Sequence, residues 1–180
     1  MGSNIGNWEI GKKKVVYNKR FRVVEYAVKK PSGKTDVYNQ VESPDACVVL
    51  ALTEDKETVV IKQFRPTFGK IMTGLPAGWI EEGETPAECA KRELKEETGY
   101  SANHWEYLGE FAVAPGLQTT KFHIFFARGL QEGEPQPDEG EFLEVVKLPV
   151  EQALKDAKKG LYDYSSFVLA LLLARHGGLI

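Results

Sequence analysis

The sequence predicts a mixed α/β (α+β) sandwich, a central mixed sheet covered by helices, with a strand-rich arm in front of it. Three observations carry that prediction. "ACVVLAL" (46–52) and "TVVIKQF" (58–64), separated by the polar "TEDKE", read as adjacent strands of a core sheet, the first buried on both faces. A helix with clear start and stop signals follows them, and further strands and two terminal helices close the chain.

Taken in order, residues 15–41 favour strands, and "KKPSGKT" supplies a turn at Pro31 to Gly33, so this segment reads as a hairpin or small sheet. The expected division is an arm over 1–43, then one domain over 44–180. The first helix is expected at 86–98. Thr85 and Glu88 form a capping box, Pro86 takes the first helical position, and Gly99 follows the last turn. Strands are expected around 105–114, 121–127 and 142–148, with the acidic loop "GEPQPDEGE" before the last of them. Helices at 150–159 and 164–176 finish the chain, the second with Asp163 as its cap.

At 180 residues the chain can bury a sizeable core. Its net charge of -3 offers no general attraction to a polyanion, so no nucleic-acid partner is expected. Lys12 to Lys14 form the only basic run, a solvated edge. The longest apolar run, "FVLALLLA" (167–174), falls far short of a bilayer span, and "MGSNIGNWEIGKKK" lacks the apolar segment of a secretory signal. Cys47 and Cys89 show neither metal-type spacing nor a disulfide framework. A cytoplasmic protein with no membrane partner is the expectation.

The segment "GWIEEGETPAECAKRELKEETGY" (78–100) is crowded with glutamates. On a helix Ala87, Ala90 and Leu94 fall on one stripe, and Glu93, Glu96 and Glu97 on the next. One face packs, and its neighbour is a row of carboxylates. Like charges at i, i+3 and i+4 repel, each pair costing a few tenths of a kcal/mol (~0.2–0.5) when exposed and more when buried. Lys91, Arg92 and Lys95 could offset this as surface ion pairs. The preceding "LPAG" turn instead favours a cation, because its backbone can approach closely and hard divalent ions prefer oxygen ligands.

Gly78, five residues, Glu84, seven residues, then "RELKEETGY" from Arg92 to Tyr100 resembles the full Nudix box. The one soft departure is Tyr100, aromatic where the family carries an aliphatic residue. The resemblance implies that Glu93 and Glu97 are principal metal ligands, Glu96 an auxiliary ligand and catalytic group, and the Ala77 carbonyl a backbone ligand. Mg²⁺ is the implied ion, with Mn²⁺ as a substitute. Glu84 and Arg92 would hold the box together as an ion pair. It further implies hydrolysis of a nucleoside diphosphate linked to another group, by attack of water on phosphorus. A base from the acidic loop is implied too, with Glu141 the best match, also as a metal ligand, and Glu139 second.

The segment before the box, "VVIKQFRP", resembles the ADP-ribose pyrophosphatase and nucleoside diphosphate sugar hydrolase branch and makes Arg65 a diphosphate or ribose contact. Pro115, sixteen residues after Gly99, and Gly116 match that branch's substrate-side proline segment. The resemblance also implies a homodimer with a swapped amino-terminal arm, whose Tyr17 or Phe21 would stack on the base, with Arg20 or Arg22 offering a cation-π or phosphate contact. Gly74 and Thr120 depart from the branch, each standing where relatives carry Glu, which keeps GDP-mannose or another nucleoside diphosphate sugar in competition with ADP-ribose. A non-catalytic ADP-ribose-binding module is the alternative class. The intact Glu93, Glu96 and Glu97 favour the hydrolase.

Overall fold

The computed structural model describes residues 6–19, 21–136, 140 and 142–180. The chain divides into two compact units, Met1–Pro44 with Ala112–Lys121, and Asp45–Phe111 with Phe122–Ile180.

The first unit is built on β1 (Glu9–Ile10), β2 (Lys14–Asn18), β3 (Arg22–Lys29) and β4 (Thr35–Glu42). All three of the others pair with β3, each antiparallel. The β3–β4 hairpin turns at Pro31–Gly33 as the sequence predicts, and Gly33 adopts φ 83, a left-handed conformation that a side chain would strain. Val24 and Val28 form the buried stripe. Phe21 remains 45% exposed and does not belong to it.

The second unit holds a seven-stranded mixed sheet in the order β11-β6-β5-β10-β9, with β7 added to β6 and β8 to β5. These strands are β5 (Ala46–Leu52), β6 (Glu57–Arg65), β7 (Lys70–Gly74), β8 (Ala77–Trp79), β9 (Ser101–Ala112), β10 (Lys121–Gln131) and β11 (Leu143–Pro149). β10 runs parallel to β5, and β6 and β8 run antiparallel to it. Among the described residues three helices accompany the sheet: α1 (Pro86–Thr98), α2 (Val150–Lys158) and α3 (Ser165–His176).

Alternation along β5 explains the layering. Val48 and Leu50 join one core cluster with Phe126 and with Leu154, Phe167 and Leu171 of α2 and α3. Cys47, Val49 and Ala51 join the other, with Phe125 and with Cys89, Ala90 and Leu94 of α1. Successive side chains of a strand point to opposite faces, so an uninterrupted apolar run is what a doubly covered strand requires. The result is an α/β/α sandwich, in agreement with the sequence.

Two local expectations fail. Asp163 does not cap α3: the residue before the helix is Tyr164, with no side-chain cap bond, and Asp163 Oδ1 accepts from Lys70 Nζ at 2.8 Å. An ion pair to β7 outcompetes the local cap. Ala87 is exposed, and Cys89 packs in its place, because the sheet covers a stripe of α1 rotated toward 89, 90 and 94. No helix among the described residues is long and apolar enough to cross a membrane.

Candidate active site

α1 spans Pro86–Thr98, the range expected from its caps. Thr85 Oγ1 accepts from the Glu88 N–H at 3.3 Å, and Glu88 Oε2 accepts from the Thr85 N–H at 2.8 Å. This reciprocal pair satisfies two orphan donors. The Thr85 hydroxyl, which donates to Glu88 Oε2 at 2.7 Å, and then the Thr85 N–H hold the Glu88 carboxyl below its ordinary range. At the other end Gly99 takes φ 77 and donates to Lys95 O at 2.8 Å. A side chain there would also collide with the Gly133 carbonyl, so glycine is required twice over.

Cys89, Ala90 and Leu94 anchor the helix, and burial of Leu94 alone contributes about 2 kcal/mol. That anchoring fixes the rotation of the next stripe. Glu93 and Glu97 are consequently buried, 9% and 4% exposed, while the Glu96 side chain stays 37% exposed. Two acids buried one helical turn apart are unfavourable unless something cationic or hydrogen-bonding faces them.

Arg92 is one such group. Its Nη1 donates to Glu93 Oε1 at 2.6 Å and to Glu96 Oε2 at 3.1 Å, and its Nε and Nη2 donate to the two Glu84 oxygens at 2.9 and 3.0 Å. A fifth hydrogen bond, from Nη2 to the Trp79 carbonyl at 3.0 Å, ties the guanidinium to β8. The Glu84 hydrogen bonds are the main cause holding Arg92 firmly charged. In return Arg92 lowers the Glu84 carboxyl below its usual range. The bidentate Arg92–Glu84 pair is the frame that the box resemblance implies.

The β8 turn meets these acids through backbone alone. Glu97 Oε2 accepts the Ala77 N–H at 2.9 Å. A Cβ added to Gly78 would collide with the Glu93 carboxyl. Gly78 is therefore needed for close approach, since only a residue without a side chain lets a carboxylate lie against this strand.

A cavity of about 350 Å³ adjoins the acids, lined among others by Gln63, Arg65, Trp79, Glu97, Tyr164 and Ser166. Arg65 Nε donates to the Tyr164 hydroxyl at 2.6 Å. Gln63 Oε1 is buried without a hydrogen-bond partner among the described residues. The volume falls in the range of small-molecule sites, roughly 300–1,000 Å³.

Of the residues singled out in the sequence, Arg65, Ala77 and Glu97 line this cavity, with Glu93 and Glu96 on the adjoining helix face. In the first unit the Tyr17 and Phe21 rings are exposed and 5.1 Å apart, and Pro115 and Gly116 line a recess of about 200 Å³ with Tyr26 and Tyr38. Thr120 is buried, its hydroxyl 2.6 Å from that of Ser43. Arg20, Glu139 and Glu141 lie outside the described residues. Sequence reasoning missed Tyr164, Gln63 and Ser166, which carry no motif. It also kept Cys47 and Cys89 apart, although the fold sets their sulfurs 2.9 Å from each other as buried free thiols. The hydrogen bond between them and burial push the Cys47 thiol far above its ordinary range, so it is inert as a nucleophile.

Among the described residues no three carboxylate, imidazole or thiol groups converge as around a bound ion. Arg92 draws Glu93 and Glu96 instead. The donor chemistry still fits a hard divalent cation: the candidates are all oxygens, two belong to buried acids, and the bare Gly78 backbone lets the Glu93 carboxylate lie against the strand, where any side chain would displace it.

A Nudix domain model matches residues 42–167, more than half of the chain. The protein belongs to the Nudix family. Its Nudix match begins at the end of β4 and covers the whole acidic site. Among similar proteins, the methanol dehydrogenase activator of Bacillus methanolicus is 36% identical over 78% of this chain and 78% of its own length. The ADP-ribose pyrophosphatase of Bacillus subtilis (strain 168) is 36% identical over 81% of this chain and 80% of its own. A solved structure described as an ADP compounds hydrolase superposes with a TM-score of 0.86 at 25% identity, covering 98% of each chain.

Proposed function

We propose that this Nudix protein is a divalent-metal-dependent hydrolase that cleaves the diphosphate of ADP-ribose, or of another nucleoside diphosphate sugar, to a nucleoside monophosphate and a sugar phosphate. One observation carries the reading. Buried Glu97 lines the same cavity as Arg65, and buried Glu93, one helical turn away, lies against the Gly78 backbone. The similarity to an ADP-ribose pyrophosphatase supports the same chemistry.

Glu93, Glu96, Glu97 and the Ala77 carbonyl would hold Mg²⁺, or Mn²⁺ in its place. The ion, when bound, supplies neutralisation of the phosphate oxygens and a more acidic water. The protein's own part is positioning. Arg65 offers a fixed cation for a diphosphate oxygen, the Gly78 backbone keeps Glu93 close to β8, and Arg92 with Glu84 holds the acid row in register. General-base duty falls to Glu141, with Glu139 second, both outside the described residues. Tyr17 and Phe21, with Arg20, would stack on and grip the base across a homodimer formed by the arm, and Pro115 and Gly116 would border the substrate. The reading places the enzyme in the cytoplasm, acting on a small molecule.

The deciding experiment is a panel of ADP-ribose, GDP-mannose, ADP-glucose and a capped nucleotide with purified protein and Mg²⁺, scored for released monophosphate. Faster turnover of ADP-ribose than of the others is expected. Preference for GDP-mannose would move the assignment to that sugar. Tight ADP-ribose binding without product would make the protein a binding module. Chromatographic sizing would show a dimer, and a monomer would remove the cross-subunit stacking.

A further inference from the structure

Residue 74 has no side chain, and the space beside it is filled from a distant part of the fold. A Cβ on Gly74 would lie 3.1 Å from Tyr164 Cε2 and 3.2 Å from Cδ2, so the phenol ring packs directly on the glycine at the end of β7. The same phenol reaches across to β6. Its oxygen accepts from Arg65 Nε at 2.6 Å, and the guanidinium carbon stands 5.9 Å from the ring centroid. All three residues line the cavity.

The chemistry of the partner matters. A carboxylate beside Arg65 would orient the guanidinium but also neutralise much of its charge. A phenol orients it through one hydrogen bond and leaves the full positive charge for an anionic ligand. No carboxylate pairs with Arg65 among the described residues. The remaining donors of the planar fork stay available for a diphosphate, and the ring closes the wall where a side chain at 74 would otherwise stand.

We propose that Tyr164 is a positioning residue for the substrate diphosphate, aiming the Arg65 guanidinium through its hydroxyl and sealing the cavity over Gly74 with its ring. This rests on the hydrolase reading above. It assigns substrate affinity to a residue outside the Nudix box and ninety-nine positions from the arginine it serves.

The test is steady-state kinetics with ADP-ribose and Mg²⁺ on the wild type, Tyr164→Phe, Arg65→Lys and the double variant. Tyr164→Phe keeps the ring and its packing and removes only the hydroxyl. It should raise KM about tenfold, the order expected for one charge-assisted hydrogen bond, with kcat within about twofold of wild type. In the Arg65→Lys background the same change should be nearly silent, because the hydroxyl acts through the guanidinium. Gly74→Ala should lower the melting temperature of the wild type but have little effect in Tyr164→Ala, where the ring is gone. An active wild type with an unchanged KM in Tyr164→Phe, or an equal KM increase in both backgrounds, overturns the Tyr164 assignment alone. A wild type that releases no monophosphate from any compound overturns the hydrolase reading and this role with it.

Discussion

The acid row of α1 and the cavity wall beside it belong to the same unit, yet they are assembled over very different distances along the chain. Glu84, Arg92, Glu93, Glu96 and Glu97 lie within fourteen consecutive residues, and their geometry follows from one capped helix and the turn before it. The wall joins Arg65 of β6, Gly74 of β7 and Tyr164 at the start of α3, which meet only after the sheet and helices have packed. A local constellation is written as spacing. A non-local one is written as shape, and shape leaves little trace in a single sequence.

The sharpest way to break the comparison is to remove charge from the local cluster without moving it. Glu97→Gln retains an oxygen to accept the Ala77 N–H, so the fold should survive while turnover at saturating Mg²⁺ falls about 10³-fold, or about 4 kcal/mol in barrier. Near-normal activity in this variant would remove Glu97 from the metal set. Gly78→Ala comes next. The added methyl must push the Glu93 carboxyl away from β8, and a shift of that kind should lower kcat about 100-fold, with a lower melting temperature by circular dichroism. A fully active alanine variant would show that Glu93 need not lie against the strand.

Glu84→Gln probes the frame rather than the chemistry. It replaces a bidentate carboxylate with a neutral amide that has one acceptor oxygen for Arg92, and should cost about 2 kcal/mol in urea unfolding at neutral pH. The pH dependence has a definite sign. The folded-state pKa of Glu84 lies below its unfolded value, so its contribution is complete above the unfolded pKa, about 4.3, and fades as pH falls through the folded one. The difference between wild type and variant should therefore shrink in acid, and a constant difference down to strongly acidic pH would exclude the charge as its cause. The smallest effect belongs to Thr85→Ala, which removes the cap and should cost about 1 kcal/mol while leaving KM unchanged.

Much of the fold was legible because its signals are periodic. The run 46–52 had to be a doubly buried strand, and Thr85, Glu88, Pro86 and Gly99 set the limits of α1. Failures came where a distant partner competed with a local one. Asp163 looked like a cap but pairs with Lys70. Ala87 fitted the helical stripe, yet the sheet selected Cys89, bringing it to Cys47 forty-two residues away. Gly74 looked like a missing carboxylate, and only the fold reveals the phenol standing there.

By itself, the sequence determined the Nudix box, the helix that carries it and the burial of β5, because hydrogen-bonded turns and alternating faces depend on neighbours in the chain. Tertiary structure decided which of the glutamates were drawn out of water, how Arg92 divides its donors among three of them, and what stands over Gly74. Those outcomes depend on close packing between segments far apart in the chain, where a single methyl group is enough to change the answer.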